Sequence, residues 1–344
     1  MYFIGVDHHT QASQLTVLAE DGRELKTGRV LNLRRNVETF LKGFHPFTAV
    51  LEAGRSSYVM ADLLRELGGQ VKMANALQVK AIAHARIKTD KRDSRTLAQL
   101  LRADLIPEIY QRGEDNRQAQ RVMRARAYWV RIQTEVKNKI RALLAQQKEE
   151  IRLEVDKRKD GLFSARGVEF LSHLPLEGQD KRVLDDLRQG YQEVQAHIRA
   201  SDGLVRALYG EIEEASRIDT IPGFATTLSV LVAVEIADVK RFSSPAHLHS
   251  YAGVIPSTYA SGERTYHGRI TKQGSVWLRW AALEAVYPAT KKDLGLRVLY
   301  SRLAKRKGPN AAKIAVARRL LTIIYRVLIE KRDYIPDRMN PSAA

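Results

Sequence analysis

Strand-forming runs crowd into the first 113 of 344 residues, and from Asn116 the next hundred or so residues carry no strand signal at all. Tyr2 to Val6 reads as a buried strand and Gln14 to Ala19 as a loosely alternating one. Asp21-Gly22 is a hairpin signal that returns the chain through Arg23 to Val30. Thr48 to Leu51 is a fourth strand and Gln70 to Met73 a fifth. Helical spacing covers Asn36 to Leu41, Ser57 to Leu67, Leu77 to His84 and Asp93 to Ala103, with Gly68-Gly69 ending the second of these and Ile106-Pro107 closing the segment. A small α/β domain must therefore be complete within residues 1–113, and helices and loops must build the remainder.

Three strands in a meander followed by helix, strand, helix, strand, helix is the order of a ribonuclease H-like domain. In that fold an acid on the first strand lies beside an acid at the end of the fourth, and a late helix adds more. Asp7 and Glu52 occupy the two strand positions. The late acids are in Lys88-Thr89-Asp90-Lys91-Arg92-Asp93, where Asp90 and Asp93 stand three residues apart and share a helix face while Lys88, Lys91 and Arg92 surround them. Taken alone, each acid has an ordinary reading: a turn residue at Asp7, a helix cap at Glu52, a surface ion-pair network at Asp90 and Asp93. Together they make an oxygen-only ligand set suited to Mg²⁺ or Mn²⁺ and to phosphoryl transfer. His8 and His9 follow Asp7 directly. Metal ligation is one reading for them, but adjacent residues on an extended chain face opposite ways, so at most one faces the acids, and solvent-exposed histidine is the expectation. Arg55 could touch a phosphate or simply lie on the surface.

The chain carries 57 Lys and Arg against 39 Asp and Glu, a net charge of +18. That excess points to a polyanionic partner, nucleic acid before membrane, with Lys88, Arg264, Arg269 and Lys272 as the candidate contacts. No apolar run approaches the roughly 18–20 residues needed to span a bilayer. The N-terminus reads as a strand rather than a signal peptide, so a cytoplasmic protein is expected. With 0 cysteines, disulfides, thiolate metal sites and cysteine nucleophiles are excluded.

Residues 114–215 read as a helical spacer. Val122, Trp129, Ile132, Val136, Ile140 and Leu143 lie on one helix face, with Arg121, Arg124, Arg131, Lys137 and Lys139 between them. Leu184, Leu187, Tyr191, Val194 and Ile198 repeat every 3.5 residues, and Val205, Leu208 and Ile212 keep the phase with Ser201 as its polar entry. This predicts a coiled coil, either between chains or as a hairpin within one. Residues 216–335 form a second, mainly α domain, and 336–344 a tail. Ile218 to Ala225 resembles a helix-hairpin-helix turn, although Ala225 replaces the usual second glycine; a plain helix start fits equally. Tyr251 to Arg264 reads as a loop of small and polar residues, and Gly268 to Gly274 as a basic loop bounded by glycines. Ser261, with Arg264, Arg269 and Lys272 close in sequence, is either a nucleophile or part of a phosphate-gripping loop. A basic amphipathic helix from Ala311 to Ile329 ends the domain.

At this point the chain resembles the DEDD transposases of the insertion-sequence one-ten family, relatives of the pilin-gene DNA invertases. The resemblance rests on Ile4-Gly5-Val6-Asp7, Leu51-Glu52-Ala53, Lys88 to Asp93, Ser250 to Pro256, Ala260-Ser261-Gly262 and Gly268-Arg269-Ile270-Thr271-Lys272. It implies a RuvC-like domain joined by a coiled coil to a distinctive transposase domain. It implies that Asp7, Glu52, Asp90 and Asp93 hold Mg²⁺, and that Ser261 attacks the scissile DNA phosphate to form a phosphoserine link. It also implies a bridge RNA that pairs with donor and target DNA, so that base pairing selects the sequence. Dimers pairing into tetramers, with the acids of one chain meeting the serine of another, are implied as well. Family loops often carry two serines before the glycine; here the first is Ala260, which leaves Ser261 as the nucleophile unless Ser257 has taken the role. Two other readings stand beside this one: a metal-dependent nuclease or junction resolvase in which water attacks, and a non-catalytic nucleic-acid scaffold.

Overall fold

The computed structural model describes residues 1–83, 89–158, 161–261 and 264–336, with the backbone alone described at 259–261, 264, 265 and 267. The chain divides into two compact units, Met1–Gln111 and Arg112–Ala344.

In the first unit β1 (Tyr2–His8), β2 (Ala12–Leu18) and β3 (Glu24–Leu31) form the expected meander. Then come α1 (Arg34–Leu41), β4 (Phe47–Glu52), α2 (Ser57–Glu66), β5 (Gln70–Ala74), α3 (Ala76–Ile82) and α4 (Asp90–Arg102). The sheet order is β3-β2-β1-β4-β5, with β4 parallel to both β1 and β5. Strand alternation divides the sheet into two faces. Ile4, Val6, Leu15, Val17, Ala49, Leu51 and Met73 enter one core with Val37 and Leu41 of α1 and Met60, Ala61 and Leu64 of α2. Phe3, Val50 and Ala74 point the other way, toward Leu97 and Leu101 of α4 and Val79 of α3.

On that second face α4 lies directly against the backbone of β1. A Cβ at Gly5 would overlap the carbonyl oxygen of Ser94 and stand 2.5 Å from the amide nitrogen of Ala98. Thr16, paired with Gly5 across β1 and β2, shares a 2.8 Å hydrogen bond with Ser94, both of them buried. Ser94, Leu97, Ala98 and Leu101 are the buried stripe of α4, and Asp90 continues that stripe one turn earlier.

The second unit opens with α5 (Glu114–Ala145), α6 (Glu149–Asp156), α7 (Ala165–His173) and α8 (Gly178–Glu211). The two long helices run antiparallel. Arg126 meets Asp202 at 2.6 Å, Trp129 stacks on His197 at 4.1 Å, and Gln147 bonds Asp180 at 3.0 Å. Leu184, Tyr191, Val194, Ser201 and Val205 are the buried residues of α8, so most of the 3.5-residue stripe is covered within the chain. Ile140, Leu144 and Leu184 join Ile151, Leu171, Leu174 and Leu176 in a cluster at the α6–α7 end.

Beyond α9 (Glu213–Asp219) the core gathers round α10 (Thr226–Ile236), whose residues from Ser229 to Ile236 are all buried. Around it stand α11 (Pro245–Ala252), β6 (Pro256–Ser261), β7 (Arg264–Ile270), α12 (Val276–Glu284), α13 (Val286–Lys292), α14 (Leu294–Lys307) and α15 (Pro309–Glu330). The glycine turn before α10, read equally as a helix-hairpin-helix turn or a plain helix start, is packed against the protein at Gly223, which has φ +95° and where a Cβ would overlap the carbonyl of Ala285. One expectation changes here. The stretches read as loops around Ser261 form an antiparallel hairpin, β6 against β7. Among the described residues no helix is long and apolar enough to cross a membrane.

Candidate active site

The parallel pairing of β1 and β4 aligns Val6 with Leu51, so Asp7 and Glu52 each stand one residue further along neighbouring strands. Both follow the pleat of Gly5 and Val50 and therefore belong to the face that carries α4. Asp7 lies within β1, opposite Gln14, and is not a turn residue. Glu52 is exposed and does not open α2, whose first turn is organised by Ser57, the partner of both backbone groups of Gly54. The carboxyl edge of a sheet's parallel strands is where α/β proteins gather their ligands.

The helix α4 arrives at this edge by its N-terminus. Thr89 caps it, its Oγ accepting from the amide of Arg92 at 3.3 Å, and Asp90 and Asp93 occupy the first turn. Acids there are favoured by the helix dipole. Because Ser94 and Ala98 rest on Gly5, Asp90 is delivered to the Asp7 end of β1. Among the described residues one group offers metal-ligand atoms at mutual range: oxygens of Asp7 and Asp90 and a ring nitrogen of His9, all within 4.8 Å of one another. His9 Nε2 is 3.5 Å from Asp7 Oδ2 and 3.4 Å from Asp90 Oδ2. Glu52 and Asp93 are not in that group.

His9 is the one of the two histidines that meets the acids. Two places after Asp7, it returns to the same side of the strand and is both solvent-exposed and at the acids. His8 points the other way, held by Ser13 Oγ at 2.9 Å and Ser56 Oγ at 3.0 Å. Burial pushes the His8 pKa down. Two carboxylates and an imidazole, open to solvent, are a donor set that fits a divalent cation. Lys88 lies outside the described residues, so its expected nucleic-acid contact has no structural counterpart here.

The serine stands on the second unit's hairpin. Ser261 ends β6 and pairs with Arg264 at the start of β7. The side chains of both lie outside the described residues. The base of the hairpin is tied by backbone bonds: Thr271 N–H to the Ile255 carbonyl at 2.9 Å, Lys272 N–H to Gly253 at 3.1 Å, and Ser275 N–H to Tyr251 at 2.7 Å. Gly253 (φ +65°) and Gly274 (φ +105°) allow this approach, since a Cβ on either would overlap the opposing backbone. Ser257 is engaged in the same framework, donating to the Arg269 carbonyl at 3.0 Å. Arg269 and Lys272 are exposed. Below the knot, buried Glu235 accepts from Ser275 Oγ at 2.8 Å through one oxygen and pairs with Arg124 through the other. Arg112 donates to the Tyr251 hydroxyl at 2.9 Å and to the carbonyls of Val234 and Glu235.

Comparison with known proteins meets both sites. A model described as "Transposase" matches residues 4–148, and one described as "Transposase IS116/IS110/IS902 family" matches residues 215–301. The chain belongs to this transposase family. It is 24% identical to a probable family 20 transposase of Pseudomonas aeruginosa over 343 residues, covering 97% of this chain and 98% of that protein. It is 24% identical to the transposase for insertion sequence element IS1111A of Coxiella burnetii, over 96% of this chain and 90% of the relative. A pilin gene-inverting protein of Moraxella bovis is 33% identical over 126 residues, 35% of this chain and 38% of that protein. In this transposase, then, one matched segment contains Asp7, His9, Glu52, Asp90 and Asp93, and the other contains the hairpin with Ser261.

Proposed function

We propose that this chain is the recombinase of an insertion sequence, cutting and rejoining DNA through a covalent link at Ser261. The convergence of Asp7, His9 and Asp90 at the sheet edge supports the cation-binding half of this reading, and the serine step rests on the family resemblance at Ala260-Ser261-Gly262. Asp7, Glu52, Asp90 and Asp93 are the proposed cation ligands. A bound Mg²⁺ or Mn²⁺ would supply charge stabilisation at the phosphate oxygens. The strand order and the parallel β1–β4 pair support treating the first unit as ribonuclease H-like (RuvC-like).

In the proposed reaction the Ser261 oxygen, losing its proton, bonds to the scissile phosphorus while a deoxyribose oxygen departs and takes up a proton. The phosphoester is conserved on the serine. A hydroxyl of a second strand then attacks the phosphoserine, releases the serine and completes the exchange. Arg264, Arg269 and Lys272 would offset charge on the phosphate. Residues 114–215 would serve as a helical spacer and 216–335 as the serine-bearing domain. Family resemblance adds a bridge RNA that chooses donor and target, and dimers that pair so that the acids of one chain meet the serine of another.

A denaturing gel tests this. Protein, Mg²⁺, labelled junction and target DNA, and RNA transcribed from the element's noncoding end are combined, and wild type is compared with Ser261→Ala. A protein-linked DNA band lost in the variant is expected. Cleaved DNA without a linked band, unchanged in the variant, would replace this reading with a RuvC-like nuclease using water.

A further inference from the structure

We infer that His9 is itself a ligand of the cation, which makes the site a mixed nitrogen and oxygen site that prefers Mn²⁺ to Mg²⁺. This rests on the carboxylate cation site proposed above. Three observations carry it.

The first is spacing. Donors about 2.1 Å from a shared ion stand ~3.0 Å apart at a right angle and ~3.4 Å apart at a tetrahedral angle. His9 Nε2 stands 3.4 and 3.5 Å from the two acids, so little movement is needed to share an ion. The second is placement. His9, the first residue after β1, keeps to the Asp7 side, and Asp90 is brought there by the seating of α4 on Gly5, so residues far apart in the chain meet at the ends of two packed elements. The third is exposure. The His9 and Asp90 side chains are 58% and 61% exposed. An ion pair that open to water contributes about 0–1 kcal/mol and would do little to hold the two elements in register. The contact therefore has little purpose as a structural bridge, whereas openness is what an exchangeable cation and its phosphate ligand require.

The choice of ion follows from donor chemistry. Mg²⁺ favours oxygen and near-ideal octahedral geometry and dehydrates reluctantly, whereas Mn²⁺ shares its preference for carboxylate oxygen and, as a first-row transition ion, accepts an imidazole nitrogen more readily. With 0 cysteines in the chain, no thiolate competes to draw in a softer metal.

The test is a Mn²⁺ titration of the full chain followed by electron paramagnetic resonance, with pulsed detection of ¹⁴N coupling. Wild type, His9→Gln and Asp7→Asn are compared, and Mg²⁺ is used as competitor. Circular dichroism confirms that each variant folds. Bound Mn²⁺ with a nitrogen coupling is expected in wild type. In His9→Gln the coupling should vanish and Mn²⁺ affinity should fall roughly tenfold or more, with Mg²⁺ affinity much less affected. Mn²⁺ bound in wild type and lost in Asp7→Asn, but with no nitrogen coupling, would overturn the role of His9 and leave the carboxylate site standing. Wild type that binds no Mn²⁺ would remove the carboxylate site and His9 with it.

Discussion

Gly5 sets the distance between the strand that bears Asp7 and the helix that bears Asp90. Gly5→Ala forces α4 off β1, and over-packing of this kind typically costs about 1–3 kcal/mol. The expected outcome is a lowered urea midpoint together with weakened Mn²⁺ binding; an unchanged midpoint would show that α4 can yield without cost. A second single-residue effect lies in the other unit. His249 is buried beside Arg318, accommodated by Thr322 Oγ at 3.0 Å, and desolvation lowers its pKa to about 4. Its folded pKa is below the unfolded 6.5, so the unfolded chain binds the extra proton between those values. Stability should therefore fall as pH drops from about 6.5 toward 4 and level off below. Thermal unfolding followed across that range should show a shallower decline in His249→Gln. The positions of Asp7 and Glu52 at neighbouring strand ends and of Asp90 and Asp93 in the first turn of a helix were legible in the sequence, because strand ends and three-residue helical spacing are local facts. The pairing of Asp90 with His9 was not: alternation puts His9, two places after Asp7, on the Asp7 side, but that Asp90 meets it there depends on where α4 comes to rest.

At the scale of elements, the β6–β7 hairpin depends on a charge buried beneath it. Glu235 is the one charged residue of α10 and is matched by Arg124 from α5 and Ser275 at the cap of α12. Removing one partner of a buried pair typically costs about 3–5 kcal/mol. Glu235→Ala should approach that loss, and Ser275→Ala should lose only about 1 kcal/mol as one hydrogen bond and a cap; chemical denaturation measures both. Tyr191, at the centre of the α5–α8 pair, is 2% exposed. Truncating such a ring to alanine costs about 3–5 kcal/mol, so Tyr191→Ala should unfold the second unit at a distinctly lower temperature. The long helices were readable from their apolar stripes. The hairpin was not, because β6 and β7 are mostly small, polar and basic residues, with Tyr259, Tyr266 and Ile270 among them, and lack the alternation of apolar residues that marks a strand with one buried face. Glu235 was equally hidden, since its partners lie 111 and 40 residues away.

For the molecule as a whole, the +18 charge predicts strongly salt-dependent DNA binding. Contact with ~6 phosphates would weaken affinity by roughly a thousandfold between about 50 and 200 mM salt. Fluorescence anisotropy with a labelled duplex measures the slope, and a flat profile would count against a phosphate-dominated interface. Composition gave this expectation, but it could not say where on two separate units the charge is used, since a count has no position. The bare backbone contact at Gly5 has one more consequence, for how the protein tolerates change. At Gly5 there is no cushion of side chains between β1 and α4 to absorb an altered volume, whereas the opposite face of the sheet meets α1 and α2 through a full layer of Ile, Val, Leu and Met. A saturation-mutagenesis map of the first unit should be lopsided, permissive to compensated swaps under α1 and α2 and rigid along the Gly5, Ser94 and Ala98 line, so that an engineer could rebuild one side of the sheet while leaving the chemistry of the other in place.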